Sequence, residues 1–139
     1  MEQAIPYYGG KYYIADWIIS FFPKHDVFVD VFGGSGAILL AKPPSKIEVY
    51  NDIDKNLTSF FKVLRDNTEE LVDYLYLTPV SRIEFERLSR VLEDPNAPEF
   101  DKAVAVYYIS HISWNGRLIY PTFSPFEMSL SKRTKKSVN

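Results

Sequence analysis

Cysteine is absent from the 139 residues, so neither a disulfide nor a thiolate metal site is open to this chain. Histidine is scarce: His25 and His111 are the only two, and they lie too far apart in sequence to suggest a metal centre. No apolar run approaches the roughly 20 residues that a membrane-spanning helix needs. The N-terminus lacks the layout of a signal peptide, and a cytoplasmic protein is the expectation. Repeats and low-complexity stretches are missing too. So is a general excess of positive charge. A net charge of −2 argues against a surface built wholly for nucleic acid. The charge is uneven, however. Lys132, Arg133, Lys135 and Lys136 carry +4, leaving −6 on the rest. The plain reading of that basic tail is a solvated terminus; the other is a DNA-contacting segment.

What is present suffices for a core. Hydrophobic residues make up 46% and aromatic residues 16% of the chain. The length fits one ordinary domain, or part of a larger one. The most informative stretch is Asp30-Val31-Phe32-Gly33-Gly34-Ser35-Gly36. It follows the apolar run Val27 to Val31 and precedes a helix-like segment, Ala37 to Ala41. A second β-like run, Ile47 to Tyr50, leads into Asp52 and Asp54. Strand, glycine turn, helix, strand and acid form the order of a nucleotide-binding half of a Rossmann-type sheet. Asp52 lies 22 positions after Asp30, close to the spacing at which such an acid reaches ribose hydroxyls. A dinucleotide site wants G-x-G-x-x-G. Here Gly34-Ser35-Gly36 is followed by Ala37-Ile38-Leu39, so the third glycine is missing. An adenosine ligand without a pyrophosphate, such as S-adenosylmethionine, fits that turn better.

The remaining segments read mainly as helices. Tyr12 to Phe22 carries Ile14, Trp17, Ile18 and Phe21 at helical spacing and stops at Pro23. Lys42 to Lys46, with Pro43-Pro44, is a connector. Asp54 caps a helix to Asp66, with Leu57, Phe60, Phe61 and Leu64 on one face. A further helix starts at Asn67 to Glu70 and ends near Thr78-Pro79. Ser81-Arg82-Ile83-Glu84 is a capping-box pattern for a helix to about Leu92. After the loop Asp94 to Pro98, Asp101 to Trp114 reads as a largely buried helix closed by Asn115-Gly116. Beyond Leu118 the pattern fails. Only two strands are evident, too few for an independent doubly wound sheet. Either further strands escape the pattern or the chain is incomplete.

Four motifs, in order, resemble those of Dam-like DNA adenine-N6 methyltransferases. Ile5-Pro6-Tyr7-Tyr8-Gly9-Gly10-Lys11 looks like that family's N-terminal P-x-x-x-G-G-K. The glycine turn follows. Asn51-Asp52-Ile53-Asp54-Lys55-Asn56-Leu57 is similar to A-D-I-N-x-x-L. Tyr107 to Gly116 looks like the helix that ends in an aromatic-Asn-Gly step, here with Trp114 as the aromatic. The likeness covers nearly the whole chain and rests on the order and spacing of all four.

The resemblance implies a partial Rossmann-like α/β methyltransferase fold, S-adenosylmethionine as cofactor and double-stranded DNA as partner. It implies a cofactor-binding part over residues 1–78. Residues 79–139 would be the helical start of the target-recognition region, ending in the basic tail. A carboxylate at Asp52 suits the two ribose hydroxyls; a capping or surface aspartate is the alternative. Lys11 offers a cation to the methionyl carboxylate, although it could be a solvated lysine at a helix start. Tyr7 stands where the family usually has an aromatic beside the cofactor, or is a core tyrosine. Asp30 could face the ammonium group, or be satisfied by turn amides. Phe32 belongs to the same cofactor turn. Gly33, Gly34 and Gly36 are turn glycines whose bare backbone lets a ligand approach. Ile53 covers an adenine face or belongs to the core. His25 and His111 are read as structural.

One piece of the family pattern is missing. Its Asp-Pro-Pro-Tyr motif holds the adenine amino group and stacks on the flipped base. The one Pro-Pro pair here, Pro43-Pro44, is flanked by Lys42 and Ser45. It supplies neither acid nor aromatic. The expectation is therefore a truncated, catalytically incomplete form with no catalytic residue of its own. Two other classes stay open. One is a non-catalytic cofactor- or DNA-binding remnant. The other is an oxidoreductase with an atypical dinucleotide fingerprint.

Overall fold

The computed structural model describes residues 3–125. Within them, two short strands and six α-helices form an α/β arrangement. Strand β1 (Val27–Asp30) and strand β2 (Ile47–Tyr50) are parallel and adjacent, with Val27 opposite Ile47 and Asp30 opposite Tyr50. Both strands and their parallel pairing are as the sequence predicts. Apolar β-branched residues line one face, where Val27, Val29, Ile47 and Val49 are exposed. On the opposite face, Phe28 packs against Phe22 and receives the Lys42 ammonium 4.8 Å from its ring centre.

Helix α2 (Ala37–Ala41) connects the strands. Its connector to β2 is pinned by Lys42, a buried lysine. The ammonium donates to the Pro43 carbonyl, to Ser45 Oγ and to Glu48 Oε1. Three acceptors satisfy a charge that burial would otherwise make costly.

The core lies on the helical side. Helices α3 (Lys55–Asp66), α4 (Thr68–Leu77) and α5 (Arg82–Glu93) surround α6 (Glu99–Ile112). Leu57 and Phe60 of α3, Leu71 of α4, and Phe85 and Leu88 of α5 meet Val104, Val106 and Ile109 of α6, with Ile5 from the N-terminal segment. α6 is buried nearly all round because helices pack on several of its sides, as its weak polar patterning suggests. Side chains on both sides of position 78 share this one core.

Local chemistry explains the helix starts. Asp54 Oδ1 accepts from the Asn56 N–H and caps α3. Ser81 Oγ accepts from the Glu84 N–H and caps α5. The reciprocal half of the expected capping box does not form, because the Glu84 carboxylate pairs with Arg87. The Ser81 N–H instead donates to Tyr108 Oη, tying the start of α5 to α6. Helix α6 ends two residues earlier than expected. It is followed by a 3-10 turn, Trp114–Gly116, in which Asn115 (φ 58°) and Gly116 (φ 68°) are left-handed.

The expected helix over Tyr12 to Phe22 is corrected by the structure. A 3-10 turn, Tyr12–Ile14, leads into a single short helix, α1 (Ala15–Ile19). The predicted apolar stripe is not its packed face: Ile14, Trp17 and Phe21 are exposed, and Ala15 is the buried residue. Helix α1 meets α2, which itself begins with alanine. Small residues let the two approach, and the large aromatics turn outward, with Trp17 and Phe21 edge to face at 5.1 Å. Beyond Leu118, Ser113 and Phe123 form an isolated antiparallel bridge that the sequence pattern does not show.

Candidate cofactor cleft at the glycine turn

The C-terminal end of β2 grips the glycine turn that follows β1. The Gly33 N–H donates to the Asn51 carbonyl at 2.9 Å, and Asn51 Nδ2 donates to the Val31 carbonyl at 2.9 Å. The Gly34 N–H donates to Asp52 Oδ2 at 2.9 Å. Asp52 Oδ1 accepts from the Asp54 N–H at 2.9 Å. Gly34 and Gly36 have φ of 53° and 68°, conformations that side chains disfavour. Gly33 is favoured for a different reason: a Cβ there would run into the Tyr50 ring.

A cleft of about 210 Å³ opens over this turn. Tyr7, Lys11, Phe32, Gly33, Gly34 and Asp52 line it, with Gly9, Gly10, Ser35, Ala37 and Ile38 completing the wall. It is smaller than the roughly 300–1,000 Å³ typical of small-molecule sites. Six of the nine sequence-predicted cofactor residues therefore meet at one place. Asp30, Gly36 and Ile53 are not among the lining residues. Gly36 starts α2 behind the turn. Ile53 is 97% exposed, which excludes its core alternative. Lys132, Arg133, Lys135 and Lys136 lie outside the described residues.

The electrostatics follow from burial beside carboxylates. Partial burial pushes the Asp30 carboxyl above its usual range; nearby Lys11 opposes the shift and Asp52 adds to it. The Tyr7 and Tyr50 phenols are pushed up by burial and by neighbouring acids, Asp52 among them. Both phenols stay protonated at neutral pH. Lys11 Nζ reaches the Phe32 carbonyl at 3.4 Å, which leaves donors for another acceptor.

The sequence pattern does not single out Tyr50. It is the last residue of β2, two positions before Asp52. Gly10 belongs to the N-terminal motif, but its role emerges only from packing. A Cβ there would lie 2.9 Å from the Tyr7 carbonyl oxygen and 3.4 Å from Ser35 Oγ. The Asn115-Gly116 step packs against the N-terminal segment that leads into the cleft. A Cβ on Gly116 would lie 2.9 Å from the Pro6 carbonyl, immediately before Tyr7.

A family model for D12 class N6 adenine-specific DNA methyltransferases matches residues 7–136. The chain belongs to that family. It is 25% identical over 130 residues to DNA adenine methylase of Escherichia coli (strain K12), covering 91% of this chain and 46% of that protein. It is 25% identical over 127 residues to DNA adenine methylase of Salmonella typhi, covering 89% and 45%. The chain thus spans about half the length of these relatives. Membership in that family sets aside the oxidoreductase alternative. Among the described residues, no helix is long and apolar enough to cross a membrane, and no cluster of potential ligands could hold a metal ion.

Proposed function

We propose that this chain is the donor-binding part of an adenine-N6 DNA methyltransferase and that its cleft receives S-adenosylmethionine. The observation that carries the reading is the Asp52 carboxylate. Each of its oxygens accepts one backbone N–H and keeps a second lone pair. Two fixed acceptors on the cleft wall suit the two ribose hydroxyls. Those same amide bonds, a structural role in themselves, hold the carboxylate in place for a ligand. The bare Gly33-Gly34 backbone admits the ligand, and Tyr7 offers an aromatic wall. Lys11 would meet the methionyl carboxylate, and Asp30 the ammonium group. Phe32 (78% exposed) and Ile53 would cover apolar parts of the adenosyl group. The donor, when bound, supplies an electrophilic methyl group on a sulfonium centre.

The remaining assignments belong to the same proposal. The two-stranded unit is the first part of a Rossmann-like sheet. Residues 1–78 serve the cofactor, and residues 79–139 open the target-recognition region on double-stranded DNA, a division of labour within one shared core. The acid-Pro-Pro-aromatic group that the resemblance assigns to the adenine is not in the sequence. Pro43-Pro44 sits in an exposed connector behind Lys42. Calorimetry should show binding of S-adenosylmethionine and its demethylated product, and none of a nicotinamide dinucleotide. Preference for the dinucleotide would sink the reading.

A further inference from the structure

The glycine turn is held from both sides at Gly34. Asp52 takes its N–H, and the Tyr50 hydroxyl donates to its carbonyl at 2.7 Å. The Tyr50 ring fills the space beside Gly33 that a Cβ would otherwise occupy. Behind it, Phe61 packs at 4.8 Å between ring centres, and a Cβ at Gly36 would lie 3.2 Å from Phe61 Cζ. Two glycines thus make room for two rings, and the rings leave the turn a single position. Tyr50 is not among the residues that line the cleft; its hydroxyl is committed to the turn.

We propose that Tyr50 is a positioning residue for donor binding. Its hydroxyl fixes Gly34 so that the turn and the Asp52 carboxylate keep the geometry that receives the adenosyl group. This rests on the reading of the cleft as the donor site. A tyrosine phenol is protonated at neutral pH and able to donate, and burial beside Asp52, Tyr7, Asp30 and Asp54 pushes its pKa further up. Loss of the hydroxyl leaves the Gly34 carbonyl without its clamp, and the Gly34 N–H is then less firmly aimed at Asp52. The effect on a ligand is indirect and modest, on the scale of one neutral hydrogen bond.

The test is Tyr50→Phe in the full 139-residue chain, which keeps the ring and removes only the hydroxyl. Two readouts are compared with the parent: calorimetric affinity for S-adenosylmethionine, and backbone amide resonances of the ligand-free proteins. Affinity should fall by roughly three- to tenfold. The amides of Gly34 and Asp54 should shift, while those of α5 and α6 stay in place. A purely structural tyrosine would leave affinity unchanged. Parent binding with unaltered affinity in Tyr50→Phe overturns the positioning role and leaves the donor site standing. No binding by the parent overturns the donor site, and the positioning role with it.

Discussion

Individual residues show what the amino-acid sequence makes legible and what it hides. Gly116 is a clear case. The Asn-Gly step reads as a helix stop, and it is one. The packing reason for the glycine is invisible in sequence, because Pro6 lies more than a hundred positions away. With φ at 68° and the Pro6 carbonyl 2.9 Å from any added Cβ, Gly116→Ala should destabilise the fold by about 1–3 kcal/mol. Urea unfolding measures this, and an unchanged midpoint would remove the Pro6 contact from the account. The turn glycines are readable because the backbone takes positive φ at Gly34 and Gly36, and Lys11 and Asp52 because their motifs place them beside that turn. Tyr50 is not readable: a tyrosine at a strand end is ordinary, and its bond to the Gly34 carbonyl and the space left by Gly33 beside its ring appear only in the fold.

Among the elements, long helices with caps and periodic faces are legible. The short N-terminal ones are not. α3 and α5 carry a capping Asp54 or Ser81 and an apolar stripe, so their ends follow from local rules. Tyr12 to Phe22 has the stripe without a side-chain cap, and small residues on the other side do the packing. Ser81→Ala removes the bond to the Glu84 N–H and should cost about 1 kcal/mol in chemical unfolding. A loss well below that would mean the Tyr108 contacts alone hold the start of α5. His111 near the end of α6 makes a pH prediction. Burial lowers its imidazole pKa, opposed by a hydrogen bond to the Tyr107 carbonyl. With the folded value below the unfolded one, near 6.5, its contribution is complete above about pH 6.5. That contribution falls as the pH drops toward the lowered folded value. Stability of His111→Asn should therefore depend less on pH between about 7 and 5 than that of the parent. Parallel curves would contradict the burial argument.

For the whole molecule, an α/β unit carries the candidate cleft and a helical cluster carries the core. The sheet's parallel order is legible from two apolar runs separated by a glycine turn and a helix. The sharing of one core across position 78 is not, since it depends on α3 and α6 meeting from distant parts of the chain. The basic tail makes a prediction at this scale. Replacing Lys132, Arg133, Lys135 and Lys136 with alanine should weaken binding to duplex DNA. It should also flatten the salt dependence by roughly 0.9 for each phosphate that is no longer neutralised, and an unchanged slope would return the tail to a solvated terminus. With no acid-Pro-Pro-aromatic group in its sequence, the 139-residue chain should give no adenine-N6 methylation of duplex DNA. Robust transfer would overturn the assignment of chemistry to that group. The central claim, however, is that the cleft holds the methyl donor through Asp52. Its most direct test is a calorimetric titration of S-adenosylmethionine into the parent and into Asp52→Ala, with folding of both checked by circular dichroism. The parent should bind, and the variant should lose roughly 1.5–3 kcal/mol, the scale of a charged hydrogen-bonding group. A folded Asp52→Ala that binds as tightly as the parent would contradict the claim.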